Sequence, residues 1–301
     1  MIHIKHIEVG QPIGSVLDQI FHVMHDTESK YSSGEDVIVW DFSECKTLHP
    51  FYAGALSLLK LQYGDTVCIT NVCDSVKEYF DLVFFNAPLE IKASANDVTI
   101  WDKYKEKNFV PISCFNPNDD SIKAAQSLVE KVLAAQLDNS SSIRPIISYL
   151  FAELTDNITE HSRSKTGFIF SQIDKQNEVL YVMILDQGHS IYNSYISDDR
   201  YRDSLNASES SGLVFALQGK STKDRPETEN RGYGISRSRE MIVKGLGGEF
   251  YILSGSAFAR HNSEGEVVVD LPNGVSWNGT AILLKIPTKL PPQFNLYNYI
   301  S

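Results

Sequence analysis

The sequence predicts an α/β protein made of two units. Over roughly the first 105 residues, short apolar runs of strand character alternate with segments of helical apolar spacing, the pattern of an α/β unit. In the second half, Val179 to Leu185 (VLYVMIL) is an unbroken apolar run, as expected of a strand at the centre of a sheet. Between them, Ile143, Ile146, Ile147, Leu150, Phe151, Leu154 and Ile158 recur at helical spacing and form one apolar stripe on a helix running from Ile143 to His161.

Composition bounds the class. A chain of 301 residues with 42% hydrophobic and 22% charged residues belongs with soluble globular proteins of one large or two ordinary domains. No run reaches the length of a membrane span, and MIHIKHIEVGQPIG at the N-terminus has no signal-peptide pattern, so a cytoplasmic protein with no membrane association is expected. Cys45, Cys68, Cys73 and Cys114 form no CxxC pair and no zinc spacing, which makes reduced thiols the expectation. A net charge of -11 argues against general nucleic-acid binding.

In order, Ile13 to Met24 reads as a helix through Val16, Leu17, Ile20, Phe21 and Met24. Val37 to Asp41 (VIVWD) reads as a buried strand, Ala53 to Tyr63 as a helix and Val67 to Thr70 (VCIT) as a second strand. Ser75 to Phe85 is a helix with Ser75 as its expected N-cap and Glu78 completing a capping box. Val98 to Trp101 is expected to close the unit as a strand. The boundaries predicted are a first domain over 1–107, a linker over 108–119 marked by two prolines and turn residues, and a second domain over 120–301. Asp119 or Asp120 is placed to cap a helix reaching about Leu137.

The chemistry concentrates in the second half. Glu153, Asn157 and His161 are spaced to stack on one line of the central helix, at the edge of its apolar stripe, while Ser148, Thr155 and Asp156 take the solvated side. Polar groups on the rim of a buried face need partners, so that line is read either as a structural polar edge or as a site facing a pocket. The strand from Val179 ends in Asp186-Gln187-Gly188, where a carboxylate emerges from a buried strand and a glycine permits close approach. Asn230-Arg231-Gly232-Tyr233-Gly234-Ile235 leads into a helix through about Leu246, offering backbone N–H groups at a positive helix end. Asn278-Gly279-Thr280 opens a strand, AILLKIP. Any one of these motifs is commonly an ordinary turn.

In this order the motifs resemble the GHKL family of ATP-binding proteins, which includes histidine kinases, gyrase-type ATPases, MutL-like proteins and anti-sigma-factor serine kinases. ELTDNITEH, from Glu153 to His161, is similar to the family's N-box, and Gly247-Gly248 leading into Glu249-Phe250-Tyr251-Ile252 is also family-like. The resemblance covers about Asp120 to Thr288 and implies a two-layer α/β sandwich of the Bergerat type that binds ATP and Mg²⁺. It implies Glu153 as general base, Asn157 as the Mg²⁺ ligand, Asp186 as the acceptor of the adenine amino group and Gly188 as the space beside the base. Thr280 would support Asp186, and Gly232 and Gly234 would hold phosphates through main-chain N–H groups. The segment from Ser208 to Asn230 corresponds to the family's lid, with a helical piece at Leu213 to Leu217, and Lys220, Lys223 or Arg231 is placed to reach the γ-phosphate. In one respect the chain departs from the family pattern, because Ser190 stands where a second glycine is usual.

The first unit resembles STAS domains, the fold of anti-sigma-factor antagonists, through VIVWDFSECKTLHPFYAGALSLL, with Ala53 at the position of the family's phosphorylatable serine. The two resemblances together imply an ATP-binding signalling protein, serine-kinase-like or an ATPase, with a fused regulatory domain and a protein partner; a homodimer is compatible with them. No histidine lies between Val110 and Arg144 to serve as a sensor-kinase phosphoacceptor, and only a short tail follows Pro287. The alternative is a non-catalytic interaction module on the same fold that binds nucleotide weakly or not at all.

Overall fold

The computed structural model describes residues 1–92, 98–117, 120–137, 143–159, 163–222 and 234–300. The chain is a mixed α/β structure with two sheets. The smaller is parallel, in the order β1 (Ile2–His3), β2 (Ile38–Asp41), β3 (Val67–Thr70). Helix α1 (Ile13–Ser32) buries Ile13, Val16, Leu17, Ile20, Val23 and Met24 along one face. Thr27 in its penultimate turn accepts a hydrogen bond from the Trp40 indole at 3.1 Å, which ties the helix to β2.

Helix α2 (Pro50–Tyr63) is apolar nearly all round, the signature of a helix covered on every side. His49 caps it by accepting from the Phe51 amide at 3.2 Å, and Pro50 occupies the first turn, where its missing N–H costs nothing. The helix therefore starts three residues before the expected Ala53. It lies against the larger sheet, where both His49 and Phe51 meet the Tyr181 ring edge-on. A Cβ at Gly54 would collide with the Met183 sulfur and stand 3.3 Å from the Phe170 ring. Helix α3 (Asp74–Val83) follows β3 and begins one residue before Ser75; Cys73 is its N-cap, and the Ser75 hydroxyl instead reaches the Lys46 carbonyl at 3.4 Å.

The larger sheet has eight strands, in the order β10-β9-β8-β11-β7-β6-β5-β4, antiparallel except for β4 beside β5. They are β4 (Leu89–Ile91), β5 (Phe109–Phe115), β6 (Gly167–Asp174), β7 (Val179–Asp186), β8 (Glu249–Gly255), β9 (Ala257–Asn262), β10 (Gly265–Asp270) and β11 (Trp277–Pro287). Strand β7 is central, paired with β6 and β11. Its Tyr181, Met183 and Leu185 face α1 and α2, whereas Ile184 and Asp186 face the opposite side. Both faces are covered, which is why the strand reads as a continuous apolar run without alternation. On the far face lie α5 (Ser121–Gln136), α6 (Arg144–Asn157) and α9 (Gly234–Glu240), with α7 (Ile191–Ile196) and α8 (Ser210–Leu217) beside them.

The structure corrects three expectations. Residues expected as a linker over 108–119 include β5, an inner strand of the large sheet. Its Pro111 has no N–H to give to a ladder and falls where the pairing with β6 shifts register between Val110 and Ser113, so a bulge accommodates the proline that suggested a loop. The sheet also takes β4 from the first 107 residues. Val98 to Trp101 is not a strand: α4 (Val98–Asp102) is helical, and buried Trp101 and Tyr104 both turn inward, with the Tyr104 hydroxyl donating to the Leu82 carbonyl at 3.0 Å. Thr155 does not face solvent; it is fully buried against α5, where it accepts from the Gln126 amide at 2.8 Å.

Candidate functional site

Helix α6, the end of β7, the start of β11 and the first residue of α9 enclose a cavity on the far face of the sheet. It holds about 740 Å³ of atom-free space, part of it open to solvent. Leu154, Ile158, Ile184, Ile191 and Ile282 form apolar walls. Among the polar lining residues are Asn157, Asp186, His189, Lys220 and Thr280, and Gly234 also lines the cavity. Five of the residues singled out in the sequence, Asn157, Asp186, Lys220, Gly234 and Thr280, thus share one cavity although they come from separate parts of the chain.

Asp186 is the buried charge of this cavity, 3% exposed. Desolvation pushes its pKa up to about 7, against the backbone N–H groups of Gly188 and Thr280, which favour the carboxylate. The Gly188 amide donates to Oδ1 at 2.8 Å. Gly279 makes this close junction possible: it has φ +92°, and a Cβ there would run into the Asp186 carboxylate and stand 2.6 Å from the Gly188 nitrogen. Trp277 closes the back of the junction by donating its indole N–H to the Asp186 carbonyl at 3.1 Å.

Across the cavity, Asn157 ends α6, after which Ile158 and Thr159 continue as a π-helical turn. Its amide nitrogen donates to the Glu153 carbonyl at 2.8 Å, one turn earlier. That bond engages the amide nitrogen and leaves Oδ1 as the acceptor end of the side chain. Glu153 lies beside the cavity rather than in its wall. A Cβ on Gly234 would come 2.9 Å from Glu153 Oε2 and 3.3 Å from Asn157 Nδ2, so a side chain there would push both of these groups aside.

Lys220 follows α8. Its ammonium sits 3.3 Å from the centre of the Phe215 ring, and its carbonyl accepts from the Tyr195 hydroxyl at 2.5 Å. Tyr195, Tyr201 and Phe215 pack edge-to-face around it. Gly188 stands in the turn after β7, bonded to Asp186. Lys223, Arg231, Gly232 and His161 lie outside the described residues.

The serine at position 190 has a local explanation. Its backbone is extended (φ -65°, ψ 158°), a conformation open to any residue, and its hydroxyl caps α7 by accepting from the Asn193 amide at 3.2 Å. A residue to which sequence reasoning gave no role joins the whole junction: Ser254, near the end of β8, is 2% exposed. Its hydroxyl accepts from the Ile191 amide at 2.8 Å and lies 3.0 Å from the Gly279 carbonyl and 2.9 Å from Thr280 Oγ1. In the sequence it stands in Leu253-Ser254-Gly255, a stretch similar to the GHKL pattern, without a role of its own, because its importance comes from β8 pairing with β11. Comparison with protein-family models, with curated proteins and with solved structures returned no match.

Proposed function

We infer that this chain is an ATP-binding signalling protein with a GHKL-type site, serine-kinase-like or an ATPase, and that its first half is a STAS-like regulatory unit. The observation that carries the reading is the buried Asp186 carboxylate in an apolar cavity that Asn157 and Gly234 also line. A purine suits such a cavity: flat apolar walls take the ring, and a carboxylate held by two backbone N–H groups takes an exocyclic amine. Asn157, with its nitrogen turned back to Glu153, offers an oxygen to a cation. Among the described residues no group of three or more His, Cys, Asp and Glu side chains is arranged to hold a metal, so Mg²⁺ would arrive with the phosphates and take few protein oxygens.

Under this reading ATP supplies the phosphoryl group and the chain supplies positioning. Asp186 orients the base, and Thr280 and Gly279 hold Asp186. Gly234 brings the α9 backbone to the phosphates, and Lys220 leaves the Phe215 ring to reach the terminal one. Glu153 polarises the attacking water or partner hydroxyl.

Calorimetric titration of the protein with ATP and Mg²⁺ tests the reading. Asp186→Ala is expected to weaken binding roughly ten- to a hundredfold, as for loss of a buried hydrogen bond to a charged group of about 1.5–3 kcal/mol. A wild type that shows no heat of binding, or a variant that binds as tightly as the wild type, overturns the assignment.

A further inference from the structure

We propose that Gln187 is a positioning residue through which α2 of the first half controls the Asp186 cavity, so that nucleotide affinity is set by how α2 is seated on the sheet. This rests on the nucleotide reading of that cavity and adds a built-in regulator to it. Gln187 lies between Asp186, which lines the cavity, and Gly188, whose amide donates to the Asp186 carboxylate. Its own side chain points the other way: Nε2 donates to the Leu58 carbonyl of α2 at 3.3 Å. One peptide unit therefore has the cavity on one side and α2 on the other.

The helix is placed to transmit its position. It carries no exposed face over Pro50 to Leu59, and Gly54 is pressed against Met183, which precedes Asp186 on the same strand. With Gly54 in that contact, α2 has no clearance toward the sheet, and any change in its seating is felt at Met183 and at the Gln187 amide together. Lifting α2 frees the Gln187 side chain and relaxes the peptide that fixes the Gly188 N–H on Asp186. The affected residue in the site is the one that reads the base, so the predicted consequence is loss of affinity for adenine nucleotides rather than loss of a phosphate contact.

The experiment uses the full chain and three variants. Gln187→Ala removes the donor, Gln187→Glu keeps the shape but presents an acceptor to the carbonyl, and Gln187→Lys restores a donor of sufficient reach. Affinity for ATP and for adenosine is measured by calorimetry, and hydrogen exchange is followed over residues 186–191 and 277–280 without ligand. The expected result is a loss of about three- to tenfold for both ligands in the Ala and Glu variants, recovery in the Lys variant, and faster exchange in both segments for Ala and Glu only. Gly54→Ala, which wedges α2 from the sheet, is expected to give the same exchange pattern in the wild-type background and no further change on top of Gln187→Ala. Equal affinity and exchange in the wild type, Ala and Glu proteins overturns the proposal. A wild type that binds neither ligand overturns the reading of the cavity and the control of affinity with it; the exchange data then decide the α2 coupling by themselves.

Discussion

Asp186 has a carboxyl whose pKa is pushed to about 7 by burial, against an ordinary value near ~3.9. An amine on a bound base donates, so binding favours the ionised form. Affinity for adenosine is therefore expected to climb as pH rises from 6 to 8, approaching about tenfold per unit on the acid side, and Asp186→Asn should flatten the profile. His189 and Lys220 share the cavity, so the Asn variant is the control that isolates Asp186. The linkage to stability begins at lower pH. A folded pKa raised above the unfolded one adds stability that is full below the unfolded value of about 3.9 and is lost as pH rises from there through 7, so Asp186→Asn should raise Tm most at pH 8 and by less at pH 5. Under the nucleotide reading, Glu153 acts on the chemistry rather than on the base. Glu153→Gln should preserve ATP binding and lower turnover by about 10²–10⁴-fold, measured by phosphate release or transfer. Unchanged turnover would remove Glu153 from the chemistry, and a wild type with no turnover would leave the cavity as a binding site alone.

At the scale of elements, α7 shows how a departure from a family pattern is absorbed. Ser190 supplies the hydroxyl that caps it, so Ser190→Ala is expected to lower stability by about 1 kcal/mol, and Ser190→Gly by a few tenths, readable as a shift of the denaturant midpoint. A larger loss for glycine than for alanine would show that backbone rigidity, not the cap, is what this position supplies. Elements that the sequence made legible were those decided locally: α1 and α6 by their stripes, β7 by its apolar run, β3 by its bounds. Asp186 was legible because it ends the apolar run of β7, and Asn157 because its spacing put it on the polar edge of the α6 stripe. What sequence could not show was decided across the chain. Pro111 sits in β5 because β6 tolerates a register shift there. Thr155 is buried because α5 brings Gln126 to it, and Ser254 matters because β11 places Gly279 and Thr280 against it.

For the whole molecule, the two halves share a sheet and a buried helix. Cutting after Lys107 would part β4 from β5 and strip α2 of the strands that cover it. Expressed alone, residues 1–107 should therefore aggregate or exchange amide protons throughout α2, while co-expression with residues 108–301 should recover a stoichiometric complex. A soluble, cooperatively melting 1–107 fragment would refute this and identify the first half as an independent unit. The same burial bears on Ala53, which is 0% exposed within α2. A hydroxyl at that position would be out of reach of a modifying enzyme while the halves remain together.

The span between Leu58 and Gln187 also governs how the chain is made. These partners are 129 residues apart. At a ribosomal rate of about 5–20 residues per second, the apolar faces of α2 wait on the order of ten seconds for β6 and β7 to emerge. During that interval the nascent first half presents the apolar length of α2 from Pro50 to Leu59 without the strands that cover it. It is the stage at which this protein has most need of a chaperone, and slower codons between residues 108 and 186 would lengthen it.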